Sequence, residues 1–506
     1  MTVDSGAGLL VIDASRPERT AYTVESVAEA ASLCRSNDLT GVLLALAGDE
    51  VRPAAVTAMA ALLEGSDVVY ADEDWLDAAG RRVRPYHKPR WSPDRLRSQM
   101  YLTGVVGYRT ESWPGSTVPD IDPALSLHEQ LYALALWATD RTERVSHLPV
   151  VACHRRIHPA YGPGLLPHLE RSFAKAGMQA QPTIDTASGV VTWQPTKANP
   201  SMASIVIPTG GSGRVVGGRR LLLVDNAVRS IIGRSSLGRF TQGVYEIIIV
   251  IDRNTDGGLA ADLVAIDPAR VRFVRDDRPF NFAAAVNLGA SKADGEVIIL
   301  LNDDTEVVTP NWIERLSCLA LADGVGAVGV RLDYGDGRLQ HAGVTGRHGS
   351  ADHRYRGYPI DATGHGDELL LTHNVLAVTA ACLAVSREHW TAFGGMDEAF
   401  PLNYNDLDLC LRFYQAGLRN VQDNRTVLNH LETSSRVAGS ESWEDERMRS
   451  RWSHYLHDDP YDNPCLVPIG FSGVAAPGAL NRLREHTGWE PNPRFGPRGD
   501  RLRFPA

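Results

Sequence analysis

Three apolar runs, each ending in polar or acidic residues, are the feature that most constrains the fold of this chain. They are 204–207 before Pro208 and Thr209, 245–251 before Asp252, and 297–301 before Asn302, Asp303 and Asp304. Runs of this length and composition are typical of buried parallel strands. Open α/β sheets bind ligands at the carboxyl ends of their strands. We therefore predict that these polar residues meet at one edge of a sheet.

The segments between these runs alternate between strand-like and helix-like patterns. This alternation predicts an α/β fold with a mostly parallel sheet and helices on both faces. At 506 residues the chain is too long for one ordinary core. A stretch with three prolines and one glycine at 181–202 separates two α/β units, and a polar, arginine-rich segment follows the second. We predict domains at 1–195 and 196–436, and a C-terminal appendage at 437–506 on the surface.

The two units are weakly related in sequence, which suggests a duplication. Residues 44–53 align with 300–310 when Glu50 is placed on Glu306, with one gap near the proline. In that alignment Ala47-Gly48 replaces Asp303-Asp304. We interpret the first unit as a degenerate copy that has lost its metal-binding carboxylates.

Two further features of the first unit could indicate a second active site. We interpret both as structural or vestigial instead. Asp72, Glu73 and Asp74 follow a strand-like run, but adjacent acids in such a place are commonly a solvated turn. His154 aligns with His430, and we read it as a relic, because no paired aspartates accompany it.

Composition excludes several classes of protein. The net charge is −10 and no dense block of lysine and arginine is present, which argues against nucleic-acid partners. Six scattered cysteines contain no CxxC pair, so neither a zinc site nor a disulfide framework is expected. The N-terminus lacks a signal-peptide pattern, and no apolar run reaches the roughly 18 residues of a membrane span. We predict a cytoplasmic protein, with peripheral contact at the inner face of the membrane left open.

The acids and one histidine of the second unit predict metal-assisted chemistry. Carboxylate oxygens of Asp303 and Asp304 are hard ligands suited to a divalent cation that carries a diphosphate. Asp406 and Asp408 lie at a predicted helix start, where one of them can act as a general base. His430 can complete a metal shell with a neutral imidazole.

Each of these residues also has a purely structural interpretation. Acid pairs after strands form turns and cap helices, acids in a first helical turn complement the helix dipole, and a lone histidine is more often structural. The glycine-rich loop at 210–218 does not support phosphate binding, because its glycine spacing is GxGxxxG and it lacks a GKS/T ending.

The order of seven sequence blocks resembles glycosyltransferase family 2, in particular the bacterial branch that acts in O-antigen and other cell-surface polysaccharide synthesis. The blocks are SIVIPT at 204–209, YEIIIVID at 245–252, PFNF at 279–282 with NLG at 287–289, LNDD at 301–304, GGMDE at 394–398, NDLDLCLR at 405–412, and His430. The resemblance covers about 203–436. The segments 70–74 and 91–94 resemble the leading half of tandem members of this group.

The resemblance implies a GT-A fold, a nucleotide-diphosphate sugar donor, a Mn²⁺ or Mg²⁺ ion and inversion at the anomeric carbon. It also implies roles for single residues: Asp304 and His430 as metal ligands, Asp303 as a metal or ribose contact, Asp252 as a contact to the nucleotide base, Pro208, Thr209 and Asn287 as donor-binding residues, and Asp406 as catalytic base. The first acid of the family's DxD motif is Asn302 here, a departure that affects the metal shell.

We therefore predict an inverting, metal-assisted glycosyltransferase that moves a sugar from a nucleotide-diphosphate donor to a hydroxyl acceptor by single displacement. The acceptor is a glycan, a lipid-linked glycan or a protein. Two alternatives remain. One is a catalytically silent carbohydrate-binding or scaffold protein on a transferase fold, and the other is a nucleotidyltransferase.

Overall fold

The computed structural model describes residues 8–466 apart from 16–20, 111–120, 197–201, 217–218, 234–242, 256, 348 and 432–441. Much of the predicted C-terminal appendage, 467–506, and part of the glycine-rich loop therefore lie outside the described residues. Among the residues described, none of the helices combines the length and the apolar character that crossing a bilayer requires.

The first domain is built on an eight-stranded sheet. The strands of this sheet are β1 Leu9–Asp13, β2 Ala21–Val24, β3 Gly41–Leu46, β4 Glu50–Val51, β5 Val68–Leu76, β6 Arg82–Tyr86, β7 Val106–Arg109 and β8 Val145–Arg155. A separate hairpin follows, formed by β9 Ala180–Ile184 and β10 Val191–Pro195. Its helices are α1 Val27–Ser36, α2 Pro53–Leu63, α3 Pro93–Ser98, α4 Leu127–Thr139 and α5 Leu166–Lys175. The strand order is β2-β1-β3-β7-β5-β8-β4, with β6 beside β5.

The second domain is built on a ten-stranded sheet. Its strands are β11 Ala203–Thr209, β12 Gly213–Val216, β13 Arg219–Leu222, β14 Tyr245–Asp252, β15 Val271–Asp276, β16 Val297–Leu301, β17 Thr305–Val307, β18 Val325–Asp333, β19 Leu339–His341, β20 Val344–Arg347, β21 Ser350–His353, β22 Thr372–Val375, β23 Cys382–Ser386 and β24 Arg419–His430. Its helices are α6 Leu223–Ile232, α7 Gly257–Ile266, α8 Phe282–Ala290, α9 Trp312–Ala320, α10 Arg387–Ala392, α11 Asn405–Gln415 and α12 Ser442–His457. The order is β15-β14-β11-β16-β23-β18-β24-β17, with β19 beside β18 and β22 beside β24.

The predicted α/β class with a mixed sheet is confirmed, but antiparallel pairing is more extensive than the prediction of a mostly parallel sheet. In the second sheet, β15, β14, β11 and β16 are mutually parallel and β18 is parallel to β24. The described pairs of the first sheet are antiparallel except β5 with β8. Alternation of strands and helices along a chain does not determine which strands become neighbours, so it could not predict these directions.

Five strands have the same arrangement in both domains, as expected for a duplication. The order β3-β7-β5-β8-β4 in the first sheet corresponds to β16-β23-β18-β24-β17 in the second. In each set one pair is parallel, β5 with β8 and β18 with β24. The two sheets differ outside these five strands. Next to β16 lie β11, β14 and β15, all parallel to it. Next to β3 lies β1, which is antiparallel to β3, and then β2, which is antiparallel to β1. The first domain therefore lacks the parallel strands whose carboxyl ends carry Thr209 and Asp252.

The interpretation of Asp72, Glu73 and Asp74 as a solvated turn is wrong. All three lie on β5 and are at most 2% exposed. Basic partners from distant parts of the chain compensate their charges, for example Lys88, whose Nζ lies 3.0 Å from Glu73 Oε2, and His147, whose Nε2 lies 2.7 Å from Asp72 Oδ1. The sequence gives no local sign of these partners.

The segment after residue 436 is not only a surface appendage. Helix α12 buries Met448, Trp452 and Leu456 in the same apolar cluster as Phe400 and Leu407. These side chains belong to the core of the second domain, close to the start of α11.

Candidate active site

Asp303 lies in the turn between β16 and β17 and is bound to the neighbouring strand. The Thr209 hydroxyl, at the end of β11, donates a 2.6 Å hydrogen bond to Asp303 Oδ2. Burial raises the pKa of Asp303 to about 6, while the Thr209 hydrogen bond acts in the opposite direction. Two strand ends that we expected to meet are thus joined by a direct side-chain contact.

Asp304 and His430 form the candidate metal site. Strand β17 pairs with the end of β24, which places Thr305 opposite His430. His430 Nε2 consequently lies 3.0 Å from Asp304 Oδ1. Across the ring, His430 Nδ1 lies 2.6 Å from Gln340 Oε1. Because an amide oxygen only accepts, Nδ1 donates to Gln340, and Nε2 is the ring nitrogen that faces Asp304.

This donor set fits a divalent cation. Carboxylate oxygen and neutral imidazole nitrogen are both ligands of manganese, and carboxylates suit magnesium. Adjacent ligands of an octahedral ion with bonds of about 2.1 Å lie about 3 Å apart, close to the 3.0 Å between these two atoms. In the described part of the chain, no group of three or more His, Cys, Asp or Glu residues could hold a metal.

Asp252 lies at the same edge of the sheet, one strand beyond Thr209. Its Oδ1 accepts hydrogen bonds from the Asn254 N–H and the Thr255 hydroxyl, both at 2.8 Å. Strand β14 pairs with β11 such that Val250 faces Pro208 and Ile251 faces Thr209. The carboxyl ends of β14, β11 and β16 therefore bring Asp252, Pro208-Thr209 and Asp303 to one edge, as the sequence predicts.

Asn287 has a different position from the other predicted donor-binding residues. It lies in α8, where its amide accepts from the Met396 N–H at 3.0 Å and donates to the Met396 carbonyl at 2.9 Å. It also lies 3.2 Å from Glu398 Oε1. These contacts attach the 394–398 segment to α8 and give Asn287 a structural task.

The two acids at the start of α11 have different surroundings. Asp406 is half-buried, and its Oδ2 accepts the Ala380 N–H at 2.9 Å. The carbonyl of the next residue, Ala381, accepts the Asn302 N–H at 3.0 Å. One short backbone segment therefore connects Asp406 to the turn that carries Asp303 and Asp304.

Asp408 is fully buried and structural. Its Oδ2 accepts from Arg412 Nε at 2.8 Å, and its Oδ1 accepts from Trp452 Nε1 and Arg451 Nη1, both at 2.9 Å. With its oxygens surrounded in this way, Asp408 does not face an acceptor. Asp406 is the better candidate for the base.

Sequence reasoning missed Gln340, which orients His430, and the backbone N–H of Ala380, which orients Asp406. Gln340 lies on the short strand β19, which runs beside β18. Its position follows from the sheet topology, and nothing in the surrounding sequence predicts it.

The register of the first domain corrects the sequence alignment of the two copies. Glu50 pairs with His154 as Thr305 pairs with His430. Asp49 therefore corresponds to Asp304, and the alignment that placed Ala47-Gly48 there is one residue out of register. The first copy has kept one of the two carboxylates.

An arginine occupies the surroundings of Asp49. Arg155 Nη1 donates to Glu73 Oε1 at 3.1 Å, and its Nε lies 3.8 Å from Asp49 Oδ2. The Arg156 N–H donates to Asp49 Oδ1 at 2.9 Å. Burial raises the pKa of Asp49 to about 6, partly offset by the Arg156 N–H and by Arg155. A fixed guanidinium thus supplies positive charge where the second domain has a metal-type donor pair.

Part of the second domain is similar to a known family of enzymes. Residues 204–371 match the family model for glycosyl transferase family 2. The chain is 32% identical over 435 residues to the uncharacterized protein y4gI of Sinorhizobium fredii (strain NBRC 101917 / NGR234), covering 79% of this chain and 45% of that protein. It is 32% identical over 423 residues to the O-antigen biosynthesis protein RfbC of Myxococcus xanthus, covering 79% of this chain and 31% of that protein. The chain thus spans less than half the length of these relatives.

Two solved glycosyltransferase structures are distantly similar. GalNAc-T7 with UDP, GalNAc and Mn²⁺ has a TM-score of 0.42 and 17% identity, over 58% of this chain and 59% of that one. Mannosyltransferase PcManGT from Pyrobaculum calidifontis in complex with GDP-Man and Mn²⁺ has a TM-score of 0.35 and 14% identity, over 52% and 66%. Both scores are too low to support an inference about this chain. The family model for glycosyl transferase family 2 thus matches the part of the second domain that carries Thr209, Asp252, Asp303 and Asp304.

Proposed function

We propose that this protein is an inverting, metal-dependent glycosyltransferase that uses a nucleotide-diphosphate sugar. The observation that carries the proposal is the pairing of Asp304 Oδ1 with His430 Nε2 at 3.0 Å, connected through Ala380 and Ala381 to the carboxylate of Asp406. A metal-type donor pair and a candidate base at one sheet edge are what transfer from a diphosphate leaving group requires. The family match at 204–371 supports the same reaction class.

In this proposal Asp304 and His430 would hold a Mn²⁺ or Mg²⁺ ion, which would supply positive charge for the departing diphosphate. Gln340 fixes the orientation of the His430 ring and so would keep Nε2 available as a ligand. Asp303 and Asp252 contact the ribose and base of the donor, beside Pro208 and Thr209.

Asp406 removes the proton from the acceptor hydroxyl as that oxygen attacks the anomeric carbon. The Ala380 N–H binds Oδ2 and so fixes the direction of the carboxylate. A single displacement from the face opposite the leaving group inverts the anomeric carbon and needs no covalent sugar–enzyme intermediate.

The first domain supports the fold in this proposal and performs no second reaction. It lacks the parallel strands that bring Thr209 and Asp252 to the site, and Arg155 fills the space beside its remaining acid. Instead, Asp94 of α3 accepts from Asn374 Nδ2 and from Arg419 Nε, both at 2.7 Å. These bonds support β22, which leads to the Ala380 segment.

The acceptor is a glycan, free or lipid-linked, or a protein. The name of the Myxococcus xanthus relative, O-antigen biosynthesis protein RfbC, favours a polysaccharide precursor. Such precursors place the reaction at the cytoplasmic side of a membrane, with the protein in peripheral contact.

The test is transfer with purified protein, Mn²⁺ and a panel of nucleotide sugars, followed as release of nucleoside diphosphate in the presence of lipid-linked glycans or free sugars. We expect Mn²⁺-dependent release with one donor. Asp406→Asn should reduce the rate by about 100-fold or more and leave donor affinity within about twofold of wild type.

Other outcomes identify the alternatives. Donor binding without release, unchanged in Asp406→Asn, would indicate a binding or scaffold protein. Pyrophosphate release from a nucleoside triphosphate would indicate a nucleotidyltransferase.

A further inference from the structure

The loop before α11 is held by a buried carboxylate from a distant helix. Glu444, near the start of α12, is 0% exposed. Its Oε1 accepts the N–H groups of Leu402 and Asn403 at 3.2 and 3.0 Å, and its Oε2 accepts Asn403 Nδ2 at 2.8 Å. The two carboxylate oxygens of Glu444 thus accept three hydrogen bonds from this loop, which satisfies a buried polar group.

The loop needs external support because its last residue has an unfavourable backbone conformation. Tyr404 precedes α11 with φ +63°, in the left-handed region that costs a non-glycine residue free energy. Its side chain makes no capping bond to α11. Instead its hydroxyl donates to Asp445 Oδ1 at 2.6 Å. The direction in which α11 starts is therefore set by contacts from α12.

Helix α12 also contacts α11 at Asp408, one turn of α11 beyond Tyr404. Trp452 Nε1 donates to Asp408 Oδ1 at 2.9 Å, and the side chains of Met448 and Trp452 belong to the same buried apolar cluster as Leu407. Glu444 at the loop and Trp452 inside the core hold the two helices at two separate places. Along the chain, Asp406 lies between Asn403, which is bound by Glu444, and Asp408, which is bound by Trp452.

We propose that Glu444 is a positioning residue for the base Asp406, acting through residues 402–404. This inference rests on the proposed function and extends it to a residue outside the segment matched by the family model, 204–371. Glu444 touches neither Asp406 nor the metal-type pair; it determines the turn from which Asp406 emerges. A displacement of a catalytic group by about 1 Å lowers rates by up to about 100-fold, so the effect on turnover is large enough to measure.

The test uses Glu444→Gln, which keeps the shape of the side chain and removes the charge. The amide oxygen can still accept the backbone N–H groups, but its NH₂ group now faces Asn403 Nδ2, donor against donor. We expect kcat to fall about 10- to 100-fold, with KM for the donor within about twofold of wild type and the Mn²⁺ dependence unchanged. Glu446→Gln, which alters an exposed acid on the same helix, is the matched control and should have no effect.

A second variant separates positioning from general structural damage. Adding Asn403→Asp to Glu444→Gln restores a donor–acceptor pair with reversed polarity. We expect kcat to return to within about threefold of wild type, since the geometry at the loop is restored. Hydrogen exchange at the amides of Leu402 and Asn403 should rise in the single variant and fall again in the double variant.

The outcomes are distinct. An active wild type whose kcat is unaffected by Glu444→Gln overturns the inference and leaves the proposed function intact. Parallel loss of kcat and melting temperature, neither restored by the second substitution, shows a structural role and also overturns it. A wild type that transfers sugar from no donor refutes the proposed function itself, and the positioning role with it.

Discussion

Arg155 should stabilise the first domain by several kcal/mol, because its guanidinium compensates two buried acids. Glu73 and Asp49 are 2% and 3% exposed, and Arg155 lies 3.1 and 3.8 Å from their carboxylates. Removing one partner of a buried ion pair costs about 3–5 kcal/mol, because the remaining charge is left without compensation. Lys88 still faces Glu73, so we expect the lower part of that range, about 3 kcal/mol, for Arg155→Ala.

The adjacent Arg156 provides the control. Its side chain is 44% exposed and pairs with Glu50 at the surface, so Arg156→Ala should cost less than about 1 kcal/mol. For a domain of this size about 3 kcal/mol corresponds to a decrease in melting temperature of roughly 6–12 °C. Calorimetry and urea unfolding of both variants measure the difference. Equally small decreases in melting temperature for the two variants would refute the view that Arg155 compensates the buried charges of Glu73 and Asp49.

Three other substitutions test separate parts of the structure. Gln340→Ala should weaken Mn²⁺ binding about 10- to 100-fold, because His430 loses the acceptor that fixes its tautomer; a Mn²⁺ titration followed by calorimetry measures it. Asp49→Asn should stabilise the protein at pH 8. The pKa of Asp49 is raised to about 6 in the fold from about 3.9 unfolded, so its stability contribution is full below pH ~4 and lost by pH ~6. The gain, up to about 3 kcal/mol, should therefore vanish near pH 4 in melting curves. Asp94→Ala should cost about 3 kcal/mol because Arg419 loses its buried partner, and an unchanged unfolding midpoint would contradict this.

The sequence predicts which residues lie at the strand ends of the candidate site, but not the residues that hold them in place. Apolar runs ending in Thr209, Asp252 and Asp303 determine their own strand positions, because a buried strand delivers its last residues to a sheet edge. Residues that act through long-range contacts, such as Gln340 and Glu444, have no local pattern. Their partners lie about 90 and 41 residues away.

The first domain shows the same limitation more clearly. Matching Glu50 to Glu306 places Ala47-Gly48 opposite Asp303-Asp304, whereas the strand register places Gly48-Asp49 there. Sequence similarity at this point is too weak to decide a difference of one residue. The prediction of a solvated turn at Asp72, Glu73 and Asp74 is wrong because their compensating partners, such as Lys88, are not identifiable without the fold. Burial of charge depends on distant residues, and composition alone does not reveal them.

The most direct test of the central claim is the melting temperature with nucleotide sugars, with and without Mn²⁺, for wild type and Asp304→Ala. The Glu306→Gln variant, with its change two residues further along the chain, is the control. We predict that one donor raises the melting temperature only when Mn²⁺ is present, in wild type and in the control. Asp304→Ala should abolish that rise. A Mn²⁺-dependent rise that survives in Asp304→Ala would contradict the assignment of the metal site.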